Sequence, residues 1–138
     1  MANYYGYARS NYFRVKDLQR FRAAMSNCAV EIVEEDNGDK NRSRRVALLS
    51  DSESGWSSSY VDAKGNDVDT NIHDIVAEHL ADDEVAIFME IGYEKLRYLS
   101  GYAVAVNNKN KSVSFQLSDI YTDKRVRKLG SNITRAEY

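Results

Sequence analysis

The chain has 138 residues, 43% of them apolar and 29% charged, with a formal net charge of -2, which fits one globular domain over 1–138 and excludes a disordered or fibrous chain. No apolar run approaches the roughly 18 residues of a membrane span, and MANYYGYARSNYFRVKD at the start has no apolar core of a secretory leader. One cysteine, Cys28, and two histidines exclude an internal disulfide and a cysteine-bound zinc centre, and predict a reducing, cytoplasmic setting.

Proline is absent, so turns fall to Gly, Asn, Asp and Ser. The aromatic-rich segment YYGYARSNYFRV (4–15) predicts a first strand, with Gly6 at a bulge or close approach. Asp17 is placed to cap a helix over 18–26 whose stripe is Leu18, Phe21 and Met25, and Asn27 can end it. AVEIVEED (29–36) alternates as a half-exposed strand, NGDKNRS (37–43) reads as a polar loop with an Asn37–Gly38 turn, and RRVALLS (44–50) as a central strand. DSESG (51–55) is a turn, WSSSYVD (56–62) a short strand, and AKGNDVDT (63–70) a loop with Gly65 at positive φ.

The clearest helix covers 71–81, where Ile72, Ile75, Val76 and Leu80 share a stripe with His79, and Asp69, Thr70 or Asn71 can cap it. VAIFMEI (85–91) and YLSGYAVAVNN (98–108) read as strands, and the second forms a hairpin through NNKNK with SVSFQL (112–117). Ser118 or Asp119 opens a final helix over 119–129, closed by Gly130, with Ile120, Tyr121, Val126 and Leu129 on its apolar side. The order predicts an α+β, two-layer domain: a mostly antiparallel sheet with about three helices packed on it. The opening β-α-β also allows a parallel crossover and a mixed sheet.

Signatures for enzymatic chemistry are missing. There is no phosphate-loop or dinucleotide glycine pattern and no zinc-protease histidine pair. His73 and His79 lie six residues apart on one helix, so they do not share a face. They read as an exposed first-turn residue and a semi-buried one. Cys28 follows a helix end, so no helix dipole activates it. Asp62, Asn66, Asp67 and Asp69 resemble a calcium loop but lack its terminal bidentate Glu. The sequence therefore nominates no catalytic residue, no metal site and no cofactor, and predicts a protein that is not an enzyme.

Charge is segregated along the chain. Residues 1–50 sum to +3, 51–84 to -9, 85–94 to -2 and 95–138 to +6. Ten acids against one base in 51–84 are the material of a patch that steers a cationic partner. Against this stand Tyr4, Tyr5, Tyr7, Tyr12 and Phe13 interleaved with Arg9 and Arg14, a pattern usable for stacking on single-stranded nucleic acid. Trp56, beside a turn, reads as either a core anchor or an interface hot spot.

ARSNYFRVKD (8–17), EKLRYLSGYAVAVN (94–107) and NITRAEY (132–138), with LLSD (48–51) and the Gly55–Trp56 pair, resemble a group of small accessory proteins carried by plasmids, integrative elements and phages of Gram-negative bacteria. That resemblance implies an anti-defence role of the anti-CRISPR or antirestriction kind, and carries no catalytic motif. Defence nucleases hold nucleic acid in basic grooves, and a DNA mimic must present a dense acidic row there. The expected partner surface is Trp56, Asp62, Asp67, Asp69, Asp74, Glu78, Asp82, Asp83 and Glu84, docking on a host defence protein. The alternative is a nucleic-acid-binding accessory factor using Arg42, Arg44, Arg45, the final basic helix and the N-terminal tyrosines. Self-association would use a sheet edge or the aromatic first strand.

Overall fold

The computed structural model describes residues 3–35 and 44–137. The Asn37–Gly38 turn and Arg42 lie outside the described residues. Among those described, the strands are β1 (Tyr5–Ser10), β2 (Val30–Glu34), β3 (Val46–Ser50), β4 (Ser59–Val61), β5 (Asp67–Asp69), β6 (Ala86–Glu94), β7 (Tyr98–Val106) and β8 (Ser112–Gln116). The helices are α1 (Leu18–Ala24), α2 (Ile72–His79) and α3 (Lys124–Arg127), with a 3₁₀ turn at Leu117–Tyr121. Six strands form one sheet in the order β2-β3-β1-β6-β7-β8, and β4 with β5 forms a separate ribbon. This is the expected α+β architecture.

Every ladder is antiparallel. The opening β-α-β unit does not make a mixed sheet, because β3 inserts between β1 and β2. The first strand also ends earlier than its aromatic pattern implies. Ser10 Oγ accepts the Leu48 amide at 2.8 Å, and Asn11 Oδ1 accepts the Ile87 amide at 2.8 Å. These side chains replace ladder bonds and turn the chain out of the strand. Phe13 and Val15 keep only isolated bridges, to Val46 and Leu80.

Strand alternation gives the sheet two different faces. On the inner face Val46, Leu48 and Phe88 meet Phe21 of α1 and Val76 of α2, and Phe13 and Leu80 close the same core. Each such side chain contributes about 1.5–3 kcal/mol by leaving water. Asp17 caps α1 by accepting the Arg20 amide at 3.1 Å, and Asn71 caps α2 by accepting from His73 and Asp74. On the outer face Tyr7, Met89, Ile91, Leu99, Val113 and Phe115 remain more than half exposed. Of these, Phe115 shares a depression with Ile120 of the 3₁₀ turn and Val126 of α3.

Two local expectations change. Residues 67–69 form β5 rather than loop, with Val68 opposite Tyr60; Gly65 has φ +82 in the connecting turn, as its position requires. The final helix is broken. The Asp119 carboxylate accepts the Gln116 amide at 2.8 Å, and Asp123 restarts a four-residue helix by accepting the Arg125 amide at 2.8 Å. Two caps so close cannot serve one continuous helix. Gly130 closes nothing, and α3 buries no residue.

Candidate functional site

The acidic residues nominated by sequence lie on the β4–β5 ribbon, on α2 and on the turn that follows it. Asp67 and Asp69 stand on the same side of β5, about 7 Å apart by strand geometry. Asp74 and Glu78 are one helical turn apart on the exposed side of α2, about 6 Å along the axis. Asp69 and Asp74 line one depression of about 390 Å³, together with Tyr60 and the Asn71 cap. Asp82 and Asp83 are exposed beyond the C-terminal end of α2, so the carboxylates run along the helix rather than converge on a point.

Their pairing state separates them from some of the chain's other acids, though Glu31, Asp51, Glu53, Glu90 and Asp119 are in no described ion pair either. The described ion pairs are local elsewhere: Arg22 and Arg44 with Glu34, Arg45 with Glu35, Arg97 with Glu94 and Arg125 with Asp123. Among the described residues, Asp62, Asp67, Asp69, Asp74, Glu78, Asp82 and Asp83 take part in none. Asp62 is turned onto its own loop, where it accepts the Lys64 and Asn66 amides at 2.9 Å each. Asp82 accepts from Asn108 Nδ2 at 2.6 Å. Glu84 is the exception: it accepts the Arg14 amide at 2.7 Å and lies 3.8 Å from the Arg14 guanidinium. That pairing takes Glu84 out of the unneutralised set.

Trp56 turns inward. Its ring meets Phe88 edge-on at 5.5 Å and 80°. Its Nε1 is shielded from solvent and without a partner. It serves as a core anchor, with its indole N–H held in an apolar setting. His73, expected at the surface, also packs edge-on against Phe88, at 4.6 Å and 86°, with Nε2 shielded. Burial lowers its pKa from the ordinary value near 6.5, the Asp74 charge opposing. The helix starts close to β6, so its first-turn side chain reaches the core instead of water. His79 sits against Phe21 at 6.0 Å, in keeping with its place on the apolar stripe.

One polar constellation escaped the sequence reading. Glu90 Oε2 accepts from the Tyr4 hydroxyl at 2.9 Å, and Oε1 accepts the Trp56 amide at 2.8 Å and the Tyr102 hydroxyl at 3.3 Å. Two glycines make room for it. A Cβ on Gly55, at φ +90, would fall inside the Glu90 carboxylate, and one on Gly92 would fall inside the Tyr4 ring and hydroxyl. Burial, with Glu90 second, pushes the Tyr102 hydroxyl up to about 12. Burial also raises Tyr4. The only sequence signal was a glutamate interrupting the apolar run VAIFMEI. The cluster fixes the 53–56 turn to β6, and no described cavity opens on it.

Three further depressions lie away from the nominated acids, one of them, of about 390 Å³, lined by Phe115, Leu117, Ile120, Asp123 and Val126. A second of about 590 Å³ is lined by Tyr121, Arg127, Ile133 and Arg135, with the Arg135 guanidinium stacked 4.6 Å from the Tyr121 ring. Another of about 380 Å³ lies on the outer sheet face between Tyr7, Arg9, Met89 and Ile91. Among the described residues no group of three or more His, Cys, Asp or Glu is placed to hold a metal ion, and no helix is long and apolar enough to cross a membrane.

No family model, no curated protein and no solved structure matches the chain.

Proposed function

We propose that this chain is a non-enzymatic binding protein whose acidic margin, Asp67, Asp69, Asp74, Glu78, Asp82 and Asp83, docks on the basic, nucleic-acid-handling groove of another protein. The observation that carries the reading is that these six carboxylates take part in no ion pair among the described residues, while Glu34, Glu35 and Asp123 hold arginines. Carboxylates without an ion-pair partner, two of them about 7 Å apart on β5 and two about 6 Å apart on α2, keep their field for a visitor and raise the encounter rate with a cationic surface. A mobile-element protein acting against a restriction or CRISPR nuclease fits that chemistry, because the groove it would fill evolved for phosphates. The test is Asp67→Asn, Asp69→Asn, Asp74→Asn and Glu78→Gln combined, expressed in cells carrying a defined restriction or CRISPR nuclease. Phage plating is expected to rise with the natural chain and return to the defended level with the variant. Equal protection by both would refute acidic docking.

A second reading has its own observation. Lys124, Arg127 and Lys128 of the α3 region are exposed, and Arg127 and Arg135 line a depression of about 590 Å³. A nucleic-acid-binding accessory factor would use that end. A salt-sensitive mobility shift of labelled DNA by the natural chain, lost on Arg127→Ala with Lys128→Ala, would favour it over the acidic margin.

A further inference from the structure

We propose that the depression of about 590 Å³ near the C-terminus binds the phosphate of a small phosphomonoester, held between the guanidinium groups of Arg127 and Arg135. This binding requires neither the acidic margin nor a nucleic-acid strand: a phosphate on a small molecule suffices.

The chain builds the depression by folding back on itself. Residues 121–136 leave the 3₁₀ turn, pass through α3 and return, and the Ala136 amide donates to the Tyr121 hydroxyl at 2.6 Å. That bond closes a compact surface loop of the Ω kind. Just beyond it Glu137 bridges to Tyr98 of β7, which ties the returning limb to the sheet. Thr122 and Arg127 line the depression from the outgoing limb, Ser131 and Arg135 from the returning one. The polar tail, which composition alone would leave to fray, is thus one wall of a concave surface.

The two arginines are held differently, and both leave donors for an anion. The Arg135 guanidinium stacks 4.6 Å from the Tyr121 ring centre, and its Nε donates to Glu137 Oε1 at 3.0 Å. Those contacts fix the group while its two terminal nitrogens are in no described hydrogen bond, so part of the fork that grips phosphate oxygens stays open. Arg127 is in no described ion pair, whereas Arg125, two residues earlier, is held by Asp123 at 2.8 Å. No carboxylate is among the lining residues, and the acids of this segment, Asp123 and Glu137, are each matched by an arginine. Two cations on one concave wall focus their potential on an incoming anion.

Charge and size select the ligand. A phosphomonoester carries about -1.5 to -2 at neutral pH with three acceptor oxygens, which suits two guanidinium groups; a carboxylate offers a single charge. The volume lies within the 300–1,000 Å³ of small-molecule sites, so room remains beyond the phosphate for an organic body against Ile133.

The experiment is titration calorimetry of the full chain with a nucleoside monophosphate at constant ionic strength, with the parent nucleoside and inorganic phosphate beside it. Saturable one-to-one binding of the monophosphate, competition by inorganic phosphate and no binding of the nucleoside are expected. Arg127 is exposed and in no described ion pair, so Arg127→Gln keeps the fold and should raise the dissociation constant by about 10-fold or more. Lys109→Gln removes an equal charge from the exposed β7–β8 turn, outside the depression, and should leave it unchanged. No saturable binding at millimolar monophosphate overturns the proposal. So does equal binding of the nucleoside, or an equal loss with Lys109→Gln. A 5′-phosphorylated oligonucleotide that binds while the monophosphate and inorganic phosphate do not also overturns it, and assigns the depression to nucleic acid. The mobility shift of the second reading can fail while monophosphate binding holds, so the two are told apart.

Discussion

Replacing Gly55 by alanine tests the clamp between the 53–56 turn and the sheet. Gly55 is buried at φ +90, where an L-residue costs about 1–2 kcal/mol. The new methyl would also occupy the position of the Glu90 carboxylate. Glu90 must then withdraw from the Trp56 amide, which it holds at 2.8 Å. A hydrogen bond to a charged group is worth about 1.5–3 kcal/mol. Together the two terms give about 2.5–5 kcal/mol, a large share of the 5–15 kcal/mol typical of a domain. Denaturant unfolding should show that loss, and the melting temperature should fall by about 10–15 °C. Glu90→Gln weakens the same contact, so the double variant should cost less than the two singles added. A loss below about 1 kcal/mol for Gly55→Ala, or strict additivity with Glu90→Gln, would refute the clamp.

Alkaline unfolding should expose Tyr102. Its folded pKa of about 12 lies above the unfolded value of 10.0. Its contribution is therefore full below pH 10 and lost as pH rises toward 12, about 1–2 kcal/mol after allowance for partial exposure, and Tyr102→Phe should flatten that limb. Acid should reveal His73 in the opposite sense: its folded pKa is depressed, so stability falls as pH drops through the unfolded value near 6.5, and His73→Phe should remove that slope. Asn71→Ala should cost about 1 kcal/mol in urea unfolding by uncapping α2. Cys28, buried with its thiol pushed up by burial, should react with a disulfide reagent only at the rate of unfolding.

Local signals were legible where one side chain answers to its own neighbours. Asp17 caps the helix it was expected to cap, Asn71 is the one of three candidates that caps α2, the α2 stripe buries Ile72, Val76 and Leu80, and β7 pairs with β8 as the expected hairpin. Alternation does not say which side of a strand meets a helix, so the exposure of Val113 and Phe115 was not readable. Residues 67–69 hid as a strand because two of the three are aspartates, and pairing with Tyr60 overrode that propensity. The final helix misled because its apolar spacing continues across Thr122 while the Asp123 cap breaks the backbone. The Glu90 cluster joins residues 86 and 34 positions apart, beyond any local pattern. Among the acids, charge counting found the segment but could not show that Glu84 is matched by Arg14.

Strand order also governs how the chain leaves the ribosome. β1 emerges first yet occupies an interior place in the finished sheet. Arg9 meets Leu49 on one side and Met89 on the other, so one neighbour is translated 40 residues later and the second 80 residues later. Until β6 appears, a nascent chain carries a tyrosine-rich strand with one open flank, the kind of edge that recruits other unfinished chains. Fragments ending before residue 86 are therefore expected to aggregate rather than to behave as a smaller version of the protein.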